Sequence, residues 1–218
     1  MTALPNVSEV QKTGALLAAV ILHNLIYPIS QNGFLGAVVF YVFYGGMFIA
    51  STWTLTASHV MRRAALVTGA AVFAAGVAHA ATGAAVTALA VFISSIAYHG
   101  VIIVVLGWYT LAARNVFTEV ILAATTLYLI IGSGFAAVFA LIEWLVPGSF
   151  VGAGGPVSNW QELLYFSYVT LTSLGFGDIL PVSYYAQAFT AFEAIAGVLY
   201  TVILLSRLVG MHTAKSGS

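Results

Sequence analysis

Apolar residues run in blocks along this chain, each closed by a few polar positions. A helix that crosses a bilayer needs about 20 apolar residues. The first block covers residues 14–29 and the second 33–57, the latter followed by His59, Arg62 and Arg63. From residue 64 to residue 113 there is no Asp, Glu, Lys or Arg. As helix that stretch is about 75 Å long, enough for two crossings and too long for one, so a break is expected within 79–83. A fifth block covers 119–146 and a sixth 183–210. The pattern predicts six membrane-spanning helices.

Six crossings put both termini on one side. Lys12, Arg62, Arg63, Arg114, Arg207 and Lys215 are all the Lys and Arg of the chain, and in this arrangement each falls on the side of the termini. Cytoplasmic loops carry the excess of Lys and Arg, so that side is read as cytoplasmic. The first block also has the length of a secretory signal. Glu9 and Lys12 make a weak start for one, and Ser30, Gln31, Asn32 and Gly33 do not form a small-residue cleavage site. It is read as a retained span.

Composition adds that the surrounding solvent is lipid. The chain is 61% hydrophobic and 6% charged, against roughly 25% charged residues in soluble proteins. Zero net charge argues against a nucleic-acid partner, and the absence of cysteine excludes disulfides, thiolate metal sites and Cys nucleophiles. Spans three and four are dense in small residues, among them Gly69, Ala70, Ala71, Ala74, Ala75, Gly76, Gly83, Ala84 and Ala85. Such residues let helix backbones approach closely in lipid.

Between spans five and six the pattern breaks down. Pro147, Gly148, Ser149, Gly152, Gly154, Gly155 and Pro156 read as an extracellular loop. Ser158 is the expected N-cap of a short apolar helix over 163–172, with Gln161 and Glu162 in its first turn. About three turns cannot span a bilayer, so this helix is expected to be re-entrant. Irregular backbone at membrane depth is tolerated where it lines a water-filled path or is buried in protein.

The residues that follow are Thr170, Leu171, Thr172, Ser173, Leu174, Gly175, Phe176, Gly177 and Asp178. They resemble the potassium-channel signature T-x-T-T-V-G-Y-G-D. The resemblance covers residues 119–210 and reaches the first four spans only in their number. It implies an all-α polytopic membrane protein with six transmembrane helices, a re-entrant pore helix, and a selectivity filter between helices five and six. Four such loops aim backbone carbonyls at one axis and replace the hydration shell of the ion, which implies a homotetramer in membrane lipid. The implied filter is Thr172, Ser173, Leu174, Gly175, Phe176 and Gly177, with K+ held through Ser173, Leu174, Gly175 and Phe176. Asp178 would lie at the outer mouth and raise the local cation concentration. K+ in the filter is the only bound species expected; no cofactor and no enzymatic activity follow from it.

Three positions depart from the signature. Ser173 stands for Thr, losing a methyl that helps to fix the hydroxyl. Leu174 stands for Val, and Phe176 for Tyr, removing a hydroxyl that in relatives ties the filter to pore-helix aromatics; Tyr165, Phe166 and Tyr168 are the candidates here. These departures carry a second reading, a weakly selective or non-selective monovalent cation channel of the same architecture. A third reading, a membrane oxidoreductase with haem on His23, His99 and His79, leaves the signature unexplained.

Gly197 lies 19 residues past Asp178, the place of the gating hinge in the pore-lining helix of the family; the other reading is a packing glycine. Glu193, one turn earlier, either faces the cavity as an acidic ring or braces the pore helix. Glu143 resembles a glutamate that anchors helix five to the outer pore in related channels. The fourth span has no Lys or Arg, and a voltage sensor needs gating charges, so conventional voltage sensing is not expected. The resulting division is a cytoplasmic segment 1–13, a four-helix domain 14–113, a pore domain 114–210, and a short tail 211–218 without a ligand domain. A plasma (inner) membrane of a prokaryote is the expected setting.

Overall fold

The computed structural model describes residues 7–26, 35–36, 38–40, 42, 44–45, 58–113, 118–157 and 159–216. It divides into two compact units, Met1–Ile131 and Gly132–Ser218.

In the first unit, α1 spans Val7–Ile26. Its N-terminal end is tied by Lys12 Nζ to Glu9 Oε1 at 2.7 Å. Thr13, Leu16, Val20 and His23 are its buried positions, a spacing of three and four that places them on one face. Next, α2 covers His59–Thr82 and α3 covers Ala85–Ala112, packed against each other as a helical hairpin. The break expected within 79–83 falls at Gly83. This residue takes the left-handed conformation (φ 62°) and donates its N–H to the His79 carbonyl at 2.8 Å, the usual way a helix ends on glycine. The buried stripe of α2 is Ala65, Gly69, Val72 and Gly76, so its small residues serve close helix packing. The long helix α4, Thr118–Leu145, contributes its first half to this unit.

The second unit contains the rest of α4, then β1 (Phe150–Gly152), β2 (Gly155–Pro156), α5 (Trp160–Leu171), β3 (Ile179–Pro181) and α6 (Tyr184–Ser216). The strands form a small antiparallel sheet in the order β2-β1-β3, with Phe150 opposite Pro181 and Val151 opposite both Leu180 and Pro156. The chain is mostly helical, as expected, and this small sheet is an addition to that expectation. The glycine-rich stretch is a hairpin whose backbone groups find partners in the strand after the signature, as buried or crowded backbone must. Phe139, Phe150 and Phe166 form the core beneath it, with ring centroids 5.1–5.4 Å apart.

Among the described residues four helices are long and apolar enough to cross a membrane: His59–Thr82, Ala85–Ala112, Thr118–Leu145 and Tyr184–Leu204. Helix α1 is not among them, and most of the block 33–57 lies outside the described residues. Helix α1 begins at Val7, and α6 continues to Ser216 through the stretch read as a tail.

Candidate functional site

The signature segment leaves the end of α5, and the local sequence explains how. Asn159, not Ser158, caps the helix. Its side-chain oxygen accepts the Gln161 N–H at 2.9 Å, so α5 starts at Trp160, earlier than expected; Ser158 lies outside the described residues. At the other end Ser173 N–H donates to Thr170 O at 2.9 Å and Leu174 N–H to Val169 O at 2.9 Å. Together these form a Schellman stop with Ser173 in the left-handed position. Thr172 Oγ1 adds a bond to Tyr168 O at 2.6 Å.

Through the segment, left-handed φ recurs at every second residue: Ser173 (59°), Gly175 (56°) and Gly177 (74°). Gly175 and Gly177 adopt this at little cost. A β-branched residue at Ser173 would be a backbone outlier. The Ser-for-Thr exchange therefore relieves strain in this backbone as well as losing a methyl. Every residue from 172 to 178 is exposed on the chain, with Leu174 at 60% and Phe176 at 64%. An apolar pair so uncovered is surface waiting for a partner.

Both ends of the segment are anchored. Tyr165 Oη donates to Asp178 Oδ2 at 2.7 Å. That bond, more than any other cause, holds the Tyr165 phenol above its ordinary value, since deprotonation would break it and set two negative charges together. Beyond Asp178 the chain enters β3 and pairs with β1. Strand β1 is in turn held by Glu143, whose carboxylate accepts Gly148 N–H at 2.6 Å and Phe150 N–H at 2.9 Å. Of the pore-helix aromatics considered from sequence, Tyr165 reaches the outer end, Tyr168 meets Ser133 Oγ at 3.0 Å, and Phe166 packs in the aromatic core.

Glu143→Ala is expected to free two backbone amides. A hydrogen bond to a charged group is worth about 1.5–3 kcal/mol, and the site is only part-buried, so the lower end applies. Amide hydrogen exchange over residues 148–152 and 179–180 should accelerate by about tenfold. Unchanged protection there would show that the sheet stands without the carboxylate.

Glu193 and Gly197 of α6 both meet α5. Glu193 is fully buried and contacts Ser167 Oγ. Gly197, one turn on, lies beneath Leu171, whose carbonyl oxygen would collide with a methyl there. Helix α6 runs through Gly197 without a break. Sequence reasoning missed Ser167 and Gly132, because a serine or glycine inside an apolar helix carries no spacing signal.

His23 and His99 belong to the first unit. His23 packs on Phe40 and Tyr44 at 4.8 and 4.7 Å between ring centroids. His99 Nδ1 lies 2.8 Å from the Ser95 carbonyl, which can only accept, and Tyr44 Oη lies 3.4 Å from Nε2. Tyr44 thus touches both imidazoles. His79 Nδ1 is 3.1 Å from Thr87 Oγ1 in the α2–α3 turn.

Residues 116–213 match the family model described as "Ion channel". A two pore potassium channel c of Oryza sativa subsp. japonica is 38% identical over 64 residues, which cover 29% of this chain and 14% of the rice protein. No solved structure matches the chain.

Proposed function

We propose that the chain, whose residues 116–213 match the ion channel model and partly match a potassium channel, is a potassium channel subunit, and that four copies form a passive, potassium-selective channel. The observation that carries the proposal is the alternation of left-handed φ at 173, 175 and 177. In an ordinary extended strand successive carbonyls face opposite ways. Reversing the hand at every second residue turns them toward one side, as a row of ion-coordinating oxygens requires. On this reading Thr172, Ser173, Leu174, Gly175, Phe176 and Gly177 are the filter, K+ is held through Ser173 to Phe176, and Asp178 stands at the outer mouth. One loop cannot surround an ion, and four uncovered loops around an axis can.

The surrounding elements support the same reading. Twelve residues of helix rise about 18 Å, short of a hydrocarbon core of about 30 Å, so α5 enters and returns. Its C-terminal end, where backbone partial charge is negative, faces the filter and favours cations. The protein is a membrane protein, and four of its described helices are long and apolar enough to cross the bilayer. The proposal adds α1 and the block 33–57 as two further crossings, with both termini cytoplasmic.

Purified protein in a planar bilayer, with K+ on one side and Na+ on the other, tests this. Reversal near the K+ equilibrium potential supports it. The exchanges at Ser173, Leu174 and Phe176 favour a second reading, a weakly selective cation channel; clear currents reversing near zero would establish that one and overturn K+ selectivity.

A further inference from the structure

Glu193 is buried at 0% exposure in an apolar helix, where an ionised carboxylate without full compensation is costly. Its Oε1 contacts Ser167 Oγ, and among the described residues its Oε2 has no hydrogen-bond partner. Ser167 is itself fully buried, and its Oγ lies 2.7 Å from the Gly132 carbonyl of α4. The close approach is possible because residue 132 is glycine. A methyl there would stand 2.5 Å from Tyr168 Cε1 and 2.8 Å from Cδ1.

The protons must balance across these three oxygens. A serine hydroxyl owns one proton, and the Gly132 carbonyl can only accept, so Ser167 spends its proton there. The contact between Ser167 Oγ and Glu193 Oε1 is then a hydrogen bond only if the carboxyl supplies the proton. Resting on the channel reading above, we propose that Glu193 is a positioning residue of the filter. It is carried as a neutral acid that donates to Ser167, which donates to Gly132, so that one relay ties α6 and α4 to the pore helix. Ser167 and Leu171 are four residues apart on α5, and Glu193 and Gly197 four apart on α6. The relay and the close approach at Gly197 therefore lie on matching faces, and together they fix the helix turn from which the filter springs. A charged ring facing the cavity would instead depend on an ionised carboxylate.

Two variants and a spectrum test this in the full-length protein. Glu193→Gln keeps a donor in the same place and removes any charge; Glu193→Leu removes the donor. The expected result is a K+ to Na+ permeability ratio for Glu193→Gln within about twofold of the parent, and one at least tenfold lower, or no current, for Glu193→Leu. The infrared difference spectrum of parent minus Glu193→Gln at neutral pH should show the carbonyl stretch of a protonated carboxyl. If Glu193→Leu fails to assemble, Ser167→Ala replaces it, with the same tenfold loss expected. Loss of current in Glu193→Gln equal to that in Glu193→Leu overturns the relay, as does absence of the protonated-carboxyl band. If the parent protein itself shows no K+ selectivity, the potassium-selective reading fails while the infrared band still decides the state of Glu193.

Discussion

Replacing Gly177 by alanine is expected to reduce K+ current at least a hundredfold while leaving the protein folded in detergent. Gly177 sits at φ 74° and Gly175 at φ 56°. An L-residue forced into that region costs about 1–2 kcal/mol, so the four copies of the proposed tetramer would carry about 4–8 kcal/mol. The segment can shed that strain only by flipping peptides, which removes carbonyls from the row that coordinates the ion. Since about 1.4 kcal/mol is a factor of ten, even part of it empties the conducting conformation. Gly83 supplies the control. It has φ 62°, and like Gly175 and Gly177 it has nothing within 4 Å of an added methyl. Gly83→Ala therefore imposes the same backbone strain in the α2–α3 turn, and should lower stability by about 1–2 kcal/mol with the permeability ratio intact. Single-channel recording of the variants, beside their thermal unfolding, separates strain that costs only stability from strain that costs conduction. Near-parental K+ current in Gly177→Ala would sink the assignment of this segment as the filter.

The parts of this fold that could be read from sequence are those written in periodicity or in backbone demand. A stretch of fifty residues without formal charge must break, and the glycine within it is where the break occurs. Gly175 and Gly177 announce unusual dihedrals because no other residue adopts them freely. The parts that could not be read depend on pairing across distance. Strands of two and three residues, such as Gly155–Pro156 and Ile179–Pro181, are too short for alternation to show. Ser158 and Asn159 are both good N-caps, and only geometry decides that Asn159 takes the Gln161 amide. Ser173 in a left-handed Schellman position runs against the preference for glycine there. Ser167 gains meaning only when Glu193 arrives from a different helix. The signature was therefore legible, and so were Glu143, Glu193 and Tyr165 as candidate struts, but the groups that the two glutamates meet were not.

Gly197 distinguishes a hinge from a seat, and the expected outcome is that it behaves as a seat. A methyl at this position would stand 2.9 Å from the Leu171 carbonyl carbon and 3.2 Å from its Cα, in addition to its collision with the oxygen. These are backbone atoms of the last turn of α5, so no side-chain rotation relieves the clash. Overpacking of this kind costs about 1–3 kcal/mol per site, repeated in every subunit of the proposed tetramer, and the displaced residue immediately precedes Thr172. Gly197→Ala should therefore lower the melting temperature of the assembly and degrade selectivity as well as current. A hinge would respond differently, with rarer openings of normal selectivity. The double variant Gly197→Ala with Ala196→Gly sharpens the contrast, because it restores a glycine to α6 one position away. A hinge tolerates that shift, since the helix can still bend there. A seat does not, since the methyl still meets Leu171. Recovery of normal current in the double variant would establish the hinge; continued loss of selectivity would establish that α6 supports the filter through this point of contact.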